Sequence, residues 1–133
     1  MKESKILQVI LFLAGLLILV VGSATLFFPL EFSAKHGVNL AQDVSLFNDI
    51  RGLGGLMLAS GLIIISGAFI KKMSFTASVV GSVMYLTFAM ARIISIVLDG
   101  LPAEGLVKAT VVETVVGLVV LAAFIKYREL ENQ

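Results

Sequence analysis

The sequence predicts an all-α integral membrane protein, folded as one antiparallel bundle of four transmembrane helices. Three observations predict this fold class. Of the 133 residues, 59% are hydrophobic and the mean hydropathy is +1.06. Only 14% are charged, against about a quarter in soluble domains, and these charges leave long stretches of chain without any. A soluble globule of this size could not cover so much apolar surface, so the composition excludes a soluble enzyme and a disordered chain.

The first helix is predicted near residues 6–28, within 25 residues between Lys5 and Glu31 that carry no charge. A membrane-spanning helix needs about 20 apolar residues. A signal peptide has an apolar region of only about 7–15 residues, so we expect this helix to be retained. The connection that follows is long, and its residues 31–37 are predicted to form a short helix at the membrane interface, ending at Gly37.

The other three helices are predicted near residues 48–70, 74–98 and 105–126. Each contains a stretch of apolar chain close to the length that a bilayer requires. Residues 52–70 and 73–91 are free of charge, and residues 109–125 contain a single charge, Glu113. The connections between these helices are short, so residues 1–133 are expected to form a single domain.

The positions of lysine and arginine predict the topology. One set of segments, at the two termini and between the second and third helices, holds Lys2, Lys5, Lys71, Lys72, Lys126 and Arg128. The first connection holds only Lys35, and the third, residues 99–105, has no basic residue. Because cytoplasmic segments carry the excess of basic residues, we expect both termini in the cytoplasm.

Polar and charged residues near the outer ends of three helices are the most specific signal in the sequence. They are Asn48, Asp49 and Arg51 in the second helix, Arg92 and Asp99 in the third, and Glu113 in the fourth. A charge within the hydrocarbon costs at least about 2.5–3.5 kcal/mol and normally faces the bundle interior. At about 1.5 Å per residue, Arg92 lies about 10 Å and Glu113 about 12 Å below the outer rim, so we expect a shared layer.

Helical spacing assigns faces to these residues. Tyr85, Arg92 and Asp99 are seven residues apart and lie on one stripe of the third helix. Small residues recur every four positions around Glu113, at Gly105, Ala109 and Gly117. Small residues allow another helix to approach closely, so Glu113 is expected to face the bundle.

Small residues also predict contacts on the first two helices. Gly52, Gly55 and Ala59 form a comparable face on the second helix. Gly15 and Gly22 on the first are expected to serve a contact within the bundle rather than between copies of the chain.

The leading hypothesis is a binding pocket for a small amphipathic molecule of lipid, quinone or isoprenoid type. The candidate ligand-binding residues are Asn48, Asp49, Arg51, Tyr85, Arg92, Asp99 and Glu113. Arg51 and Arg92 would donate hydrogen bonds to an acidic or carbonyl-bearing ligand, and Asp49 and Glu113 would orient the two guanidinium groups. Tyr85 would line the deeper, apolar wall.

Two other classes of function stay open. Buried charge pairs can fix how helices pack, as expected of an accessory or assembly subunit whose small-residue faces meet a membrane protein partner or a second copy. An isomerase-like enzyme could instead use Glu113 as a proton donor or acceptor. No catalytic residue is assigned, because no serine has a plausible histidine partner.

Several chemistries find no support in the sequence. There is no cysteine, and the single histidine, His36, has no second ligand at metal-binding spacing, so neither a metal site nor a cofactor is expected. Gly52-Leu53-Gly54-Gly55 lacks the strand and the lysine of a phosphate-binding loop. The net charge of only +1 gives no strong field to attract nucleic acid, so no nucleic-acid partner is expected. The expected partners are the lipid bilayer and a lipid-like molecule, with a membrane protein partner or a second copy of the chain left open.

Three motifs at these same positions carry a family resemblance. They are Asn48-Asp49-Ile50-Arg51-Gly52-Leu53-Gly54-Gly55, Ala91-Arg92-Ile93-Ile94-Ser95 leading to Asp99-Gly100, and Glu113 with Gly117. Over about residues 10–125 the chain resembles a bacterial membrane family catalogued as domain of unknown function 4345, which looks like four-helix proteins of the broader DoxX-like type. The resemblance implies the four-helix fold, a polar site and a location in the bacterial cytoplasmic (inner) membrane. It implies no activity, because similar folds serve many functions.

Overall fold

The computed structural model describes residues 4–131, with side chains for residues 4–129, and confirms the all-α fold within this range. The helices are α1 (Lys5–Phe27), α2 (Pro29–Lys35), α3 (Val44–Phe69), α4 (Ser74–Asp99) and α5 (Glu104–Glu131). A single 3₁₀ turn, Lys71–Met73, joins α3 to α4. The helices α1, α3, α4 and α5 are each long and apolar enough to cross a membrane. Lys2, one of the residues that predict the topology, lies outside the described range.

Two helix boundaries differ from the prediction, each for a local reason. Helix α3 begins at residue 44 rather than 48, because the Asp43 side chain caps it, accepting hydrogen bonds from the backbone N–H groups of Ser45 (2.8 Å) and Leu46 (3.4 Å). An aspartate in this position satisfies donors that the first turn leaves unpaired. Helix α5 continues to residue 131 rather than 126, through lysine, arginine, glutamate and leucine, which favour helix.

The predicted short helix in the first connection is present as α2, which begins two residues earlier than expected. Pro29 stands in its first turn, where the missing N–H of proline costs nothing. The helix ends at Lys35, and Gly37 follows with φ +79°, a conformation that glycine adopts without strain. The contacts of α2 with α1 and α3 lay this helix beside the bundle.

The closest helix contact joins α1 and α3 through glycines. A methyl group added at Gly15 would lie 2.6 Å from the backbone nitrogen of Ile65, and one added at Gly54 would lie 2.6 Å from that of Leu26. Gly22 and Gly61 are equally enclosed. The seven-residue spacing on each helix keeps these glycines on one face. Gly15 and Gly22 thus serve a contact within the bundle, as predicted.

The predicted small-residue face of α3 is wrong. A methyl group added at Gly52 or Gly55 would meet nothing within 4 Å, and Ala59 is exposed. The face that packs against the bundle is instead the one that holds Gly54 and Gly61. Since successive helical residues are about 100° apart, a shift of one or two positions is enough to select a different face.

The buried core is unevenly distributed along the bundle. Its apolar side chains concentrate in the half that contains the α3–α4 turn, at Leu7, Leu11, Ile64, Ala77, Val120 and Ala123. The opposite half, which we call the α2 end, contains α2, the start of α3, the end of α4 and the start of α5. Fewer side chains are buried at the α2 end, and this is where the bundle leaves a cavity.

Candidate functional site

A cavity of about 660 Å³ lies in the α2 end of the bundle. It is bounded by α1, α4 and α5, with the end of α2 at its mouth and Met57 of α3 contributing to the wall. The closest packing joins α1 to α3 and α4 to α5, whereas α1 and α5 touch only sparingly. The cavity occupies the space that this arrangement leaves between the two pairs.

An ion pair between Arg92 and Glu113 forms part of the cavity wall. The Arg92 Nε donates a hydrogen bond to Glu113 Oε2 at 2.8 Å, linking α4 to α5. The Arg92 side chain is 32% exposed and that of Glu113 is 14% exposed, so the carboxylate is the deeper of the two. This confirms that Glu113 faces the bundle.

Most of the N–H donors of Arg92 make no hydrogen bond to a described residue. A guanidinium group has five N–H donors, and the bond to Glu113 uses the one on Nε. No described residue accepts a hydrogen bond from either terminal nitrogen of Arg92. These donors border the cavity and can therefore bind a group placed inside it.

Tyr85 lies one stripe position deeper on α4 and is almost fully buried. Its hydroxyl donates a hydrogen bond to the backbone carbonyl of Ala14, which ties α4 to α1. Because this hydroxyl proton is already used, Tyr85 presents mainly its ring to the cavity. The neighbouring wall is apolar, formed by Leu17, Ile18, Val21, Met57, Phe88 and Val112.

Four polar side chains at the mouth of the cavity were missed by sequence reasoning. They are Lys35, His36, Glu104 and Lys108. Lys108 Nζ pairs with Glu104 Oε1 at 2.9 Å, one turn apart on the exposed surface of α5. Only Gly105 in the sequence indicates a close contact near these residues. The residue that packs on it, His36, follows α2 and is distant in the chain, so the sequence does not identify it.

His36 reaches the mouth because Gly105 has no side chain. A methyl group at Gly105 would lie 2.7 Å from the Cα atom of His36, so the end of α2 rests directly on the first turn of α5. The ring of His36 stacks on that of Phe32 with a centroid distance of 4.5 Å. Its Nδ1 is 2.8 Å from the Phe32 carbonyl oxygen and must donate there, which leaves Nε2 as the acceptor of a neutral imidazole.

The structure brings three of the predicted site residues to the cavity and leaves four outside it. Tyr85, Arg92 and Glu113 line it. Those outside are Asn48, Asp49, Arg51 and Asp99, which are all exposed.

Arg51, Asp49 and Asp99 have other surroundings. Arg51 donates through Nη1 to the backbone carbonyl of Leu26, in the last turn of α1, where carbonyl groups lack helical partners. Asp99 accepts a hydrogen bond from Ser95 Oγ at 3.3 Å. Among the described residues, Asp49 has no ion-pair partner, so the expected pairing of Asp49 with an arginine is not present.

Asn48, Asp49 and Arg51 lie outside the cavity because of their angular position around the axis of α3. The buried residues of α3 follow a spacing of three or four, at Gly54, Met57, Gly61 and Ile64. Continued toward the start of the helix, this series passes through Phe47 and Ile50, which are half-buried. Asn48, Asp49 and Arg51 fall between these positions and so lie on the outer faces of α3.

No group of three or more metal-ligating side chains occurs within the described range. The polar groups of the cavity are instead the donors of Lys35, Arg92 and Lys108, the ring of His36, and two carboxylates that already have basic partners. This donor set is suited to holding the polar head of an organic molecule.

The family model described as Domain of unknown function (DUF4345) matches residues 6–124. The match covers most of the chain, which therefore belongs to this family, as the motifs in α3, α4 and α5 predicted. No curated protein and no solved structure matched the chain.

Proposed function

We propose that this member of the family binds a small amphipathic molecule, of lipid, quinone or isoprenoid type, in the cavity at the α2 end. The observation that carries the proposal is that Arg92 has hydrogen-bond donors that no described residue uses. Its side chain is held by Glu113 and borders the cavity, yet its terminal nitrogens have no acceptor among the described residues. A guanidinium group held in this way is ready to bind a ligand.

The size and lining of the cavity support an amphipathic occupant. Ligand sites commonly measure about 300–1,000 Å³ and combine apolar walls with a few polar groups, and this cavity, at about 660 Å³, lies within that range. The apolar wall around Tyr85 and Phe88 lies about 6–10 Å deeper along α4 than Arg92, at 1.5 Å per residue. A molecule with its apolar part on this wall would bring its polar part to Arg92.

The proposed setting is the bacterial cytoplasmic membrane, with both termini in the cytoplasm. The basic residues at the α3–α4 turn, Lys71 and Lys72, support this orientation, as does Arg128 near the end of α5. The α2 end then faces outward and the cavity lies in the outer half of the bilayer. Such a site would take its ligand from the outer leaflet or from the aqueous phase beyond it.

The test is to identify molecules that copurify with the protein by native mass spectrometry, comparing two substitutions on α5. Ala109→Phe places a ring at the cavity wall, whereas Ala122→Phe places the same ring at an exposed position of the same helix. We expect a bound molecule on the wild type and on Ala122→Phe, and at least about tenfold less on Ala109→Phe. A wild type without a bound molecule, or equal occupancy of both variants, would overturn the proposal.

The accessory-subunit and isomerase interpretations predict different results. An accessory subunit would retain a membrane partner in Ala109→Phe, because the ring fills the cavity without changing the outer surfaces. An isomerase would lose turnover in Glu113→Gln even where the ligand still binds. The unpaired donors of Arg92 favour ligand binding over a purely structural role, because helix registry alone needs only the bond to Glu113.

A further inference from the structure

We infer that the ligand of this cavity carries an anionic head group, a carboxylate or a phosphate ester, bound between Arg92 and the lysines at the mouth. This inference rests on the proposed function and narrows it. A neutral head, such as a quinone or an alcohol, would fit the same apolar wall but would leave the positive charge of the cavity without a counterion.

The charges that line the cavity do not balance. Three side chains are cationic, Lys35, Arg92 and Lys108, and two are anionic, Glu104 and Glu113. Arg92 pairs with Glu113, and Lys108 pairs with Glu104. Lys35 has no ion-pair partner among the described residues. One positive charge is therefore left over.

Spare acceptors at the cavity are His36 Nε2 and the oxygens of Glu104 and Glu113 that their basic partners do not use. The spare donors carry the positive charge of the cavity. They are the terminal nitrogens of Arg92 and the ammonium group of Lys35, together with the protons of Lys108 that Glu104 does not use. All of these are donors with a full positive charge. Charge-assisted hydrogen bonds to a carboxylate or phosphate are about twice as strong as neutral ones, and a guanidinium fork matches both anions.

The surroundings strengthen this preference. The wall below Arg92 is apolar, and apolar surroundings screen charges less than water does. An anion placed between Arg92 and Lys35 would accept hydrogen bonds from the free donors of Arg92 and meet the unpaired charge of Lys35, while a cationic head group would be repelled by Lys35. The ligand would lie with its apolar part against Met57 and Phe88 and its head group level with Arg92, below Lys35 at the mouth.

The experiment uses probes that share one tail and differ in the head: hexadecanoate, hexadecyl phosphate and hexadecanol. Binding of each to the full-length protein in lipid nanodiscs is measured by native mass spectrometry. We expect one or both anions to bind at least about tenfold more tightly than hexadecanol, which corresponds to about 1.4 kcal/mol. Preference for hexadecanoate would indicate a fatty-acid ligand, and preference for hexadecyl phosphate would indicate a phosphorylated lipid or isoprenoid.

Substitutions of cavity residues test whether the preference for anionic head groups arises in the cavity. Lys35→Gln is expected to weaken binding of the anions several-fold and to leave binding of hexadecanol unchanged. Because Lys35 is exposed, we expect this variant to fold as the wild type does. Arg92→Gln combined with Glu113→Gln removes the buried pair without leaving one charge alone and should abolish the preference. Lys72→Gln, at the opposite end of the bundle, is the matched control and should bind as the wild type does.

Two outcomes separate this inference from the proposed function. If hexadecanol binds as tightly as the anions, or if Lys35→Gln and the double variant keep the preference, the anionic head group is wrong and the amphipathic site remains. If none of the three probes binds to the wild type, the inference fails, and the absence of a copurifying molecule as well would overturn the proposed function.

Discussion

Arg92 and Glu113 are joined by a hydrogen bond of 2.8 Å between Nε and Oε2, across the interface between α4 and α5. Each comes from a separate transmembrane helix, so the bond fixes the rotation of one helix against the other. It also holds the side chain of Arg92 at the cavity wall and leaves its terminal nitrogens without an acceptor among the described residues. One contact thus holds the helices together and positions the group that we propose binds the ligand.

The stability of this pair can be measured with a double-mutant cycle. Replacing Arg92 or Glu113 alone with glutamine leaves the other charge without its partner, and we expect each to lower the free energy of unfolding by about 1–3 kcal/mol, less than for a fully buried pair because Arg92 is partly exposed. The double variant should lose less than the sum of the two. Unfolding in mixed micelles gives all three values, and additive losses would show that the pair is not coupled.

Neighbouring glycines on α3 give a second prediction about packing. Gly54→Ala would place a methyl group 2.6 Å from the backbone nitrogen of Leu26. Helix α1 must then move away, and we expect a loss of about 1–3 kcal/mol in the free energy of unfolding.

Gly55→Ala is the matched control for Gly54→Ala. It adds a methyl group in open space and should be neutral or stabilise the protein by up to about 1 kcal/mol, because alanine restricts the unfolded chain. Equal effects of the two substitutions in the same unfolding assay would contradict the α1–α3 contact.

The fold could be predicted from the sequence because the length of an apolar stretch is a one-dimensional property. A stretch of about 20 such residues has few alternatives to a transmembrane helix. The ends were less predictable, since a polar side chain such as Asp43 extends a helix beyond its apolar part. The contact face of α3 was wrong because small residues occur on more than one face, and only the partner helix selects between them.

The candidate site was predictable in part for a related reason. The position of a residue along a helix predicts how deep it lies in the membrane, and the predicted depths place Arg92 and Glu113 in one layer. It does not give rotation, which places Arg51 beside the end of α1 rather than in the cavity. The positions of Lys35 and His36 at the site could not be predicted from the sequence. They lie there because the end of α2 packs on Gly105 of α5, which is a contact between distant parts of the chain.

Because Tyr85 donates a hydrogen bond, we expect the two tyrosines of the chain to differ in how much their replacement by phenylalanine lowers stability. Tyr85→Phe removes the bond to the Ala14 carbonyl and should lower the free energy of unfolding by about 1 kcal/mol. Tyr127 is also buried, but its hydroxyl has no hydrogen bond to a described residue. We therefore expect Tyr127→Phe to change stability by less than about 0.5 kcal/mol, and a larger effect at Tyr127 than at Tyr85 would be inconsistent with this structure.

The position of α2 depends on Gly105. Gly105→Val would force its side chain against the backbone of His36, where even one added carbon would lie 2.7 Å from the Cα atom. We expect α2 to separate from α5 and the amide hydrogens of residues 30–37 to exchange at least about tenfold faster. Gly52→Val adds the same side chain at the same end of the bundle in open space, and unchanged exchange in both variants would show that α2 is held by other contacts.

The proposed orientation predicts which ends of the helices are accessible from outside the cell. The chain has no cysteine, so each introduced cysteine is the only labelling site, and the unmodified protein is the blank. In intact cells, a membrane-impermeant maleimide should label Leu101→Cys, in the connection between α4 and α5, because that connection lacks the basic residues that favour the cytoplasm. Lys72→Cys, at the α3–α4 turn, should react only after the membrane is permeabilised. The reverse pattern would place the cavity in the cytoplasmic half of the bilayer, where its ligand would have to come from the inner leaflet.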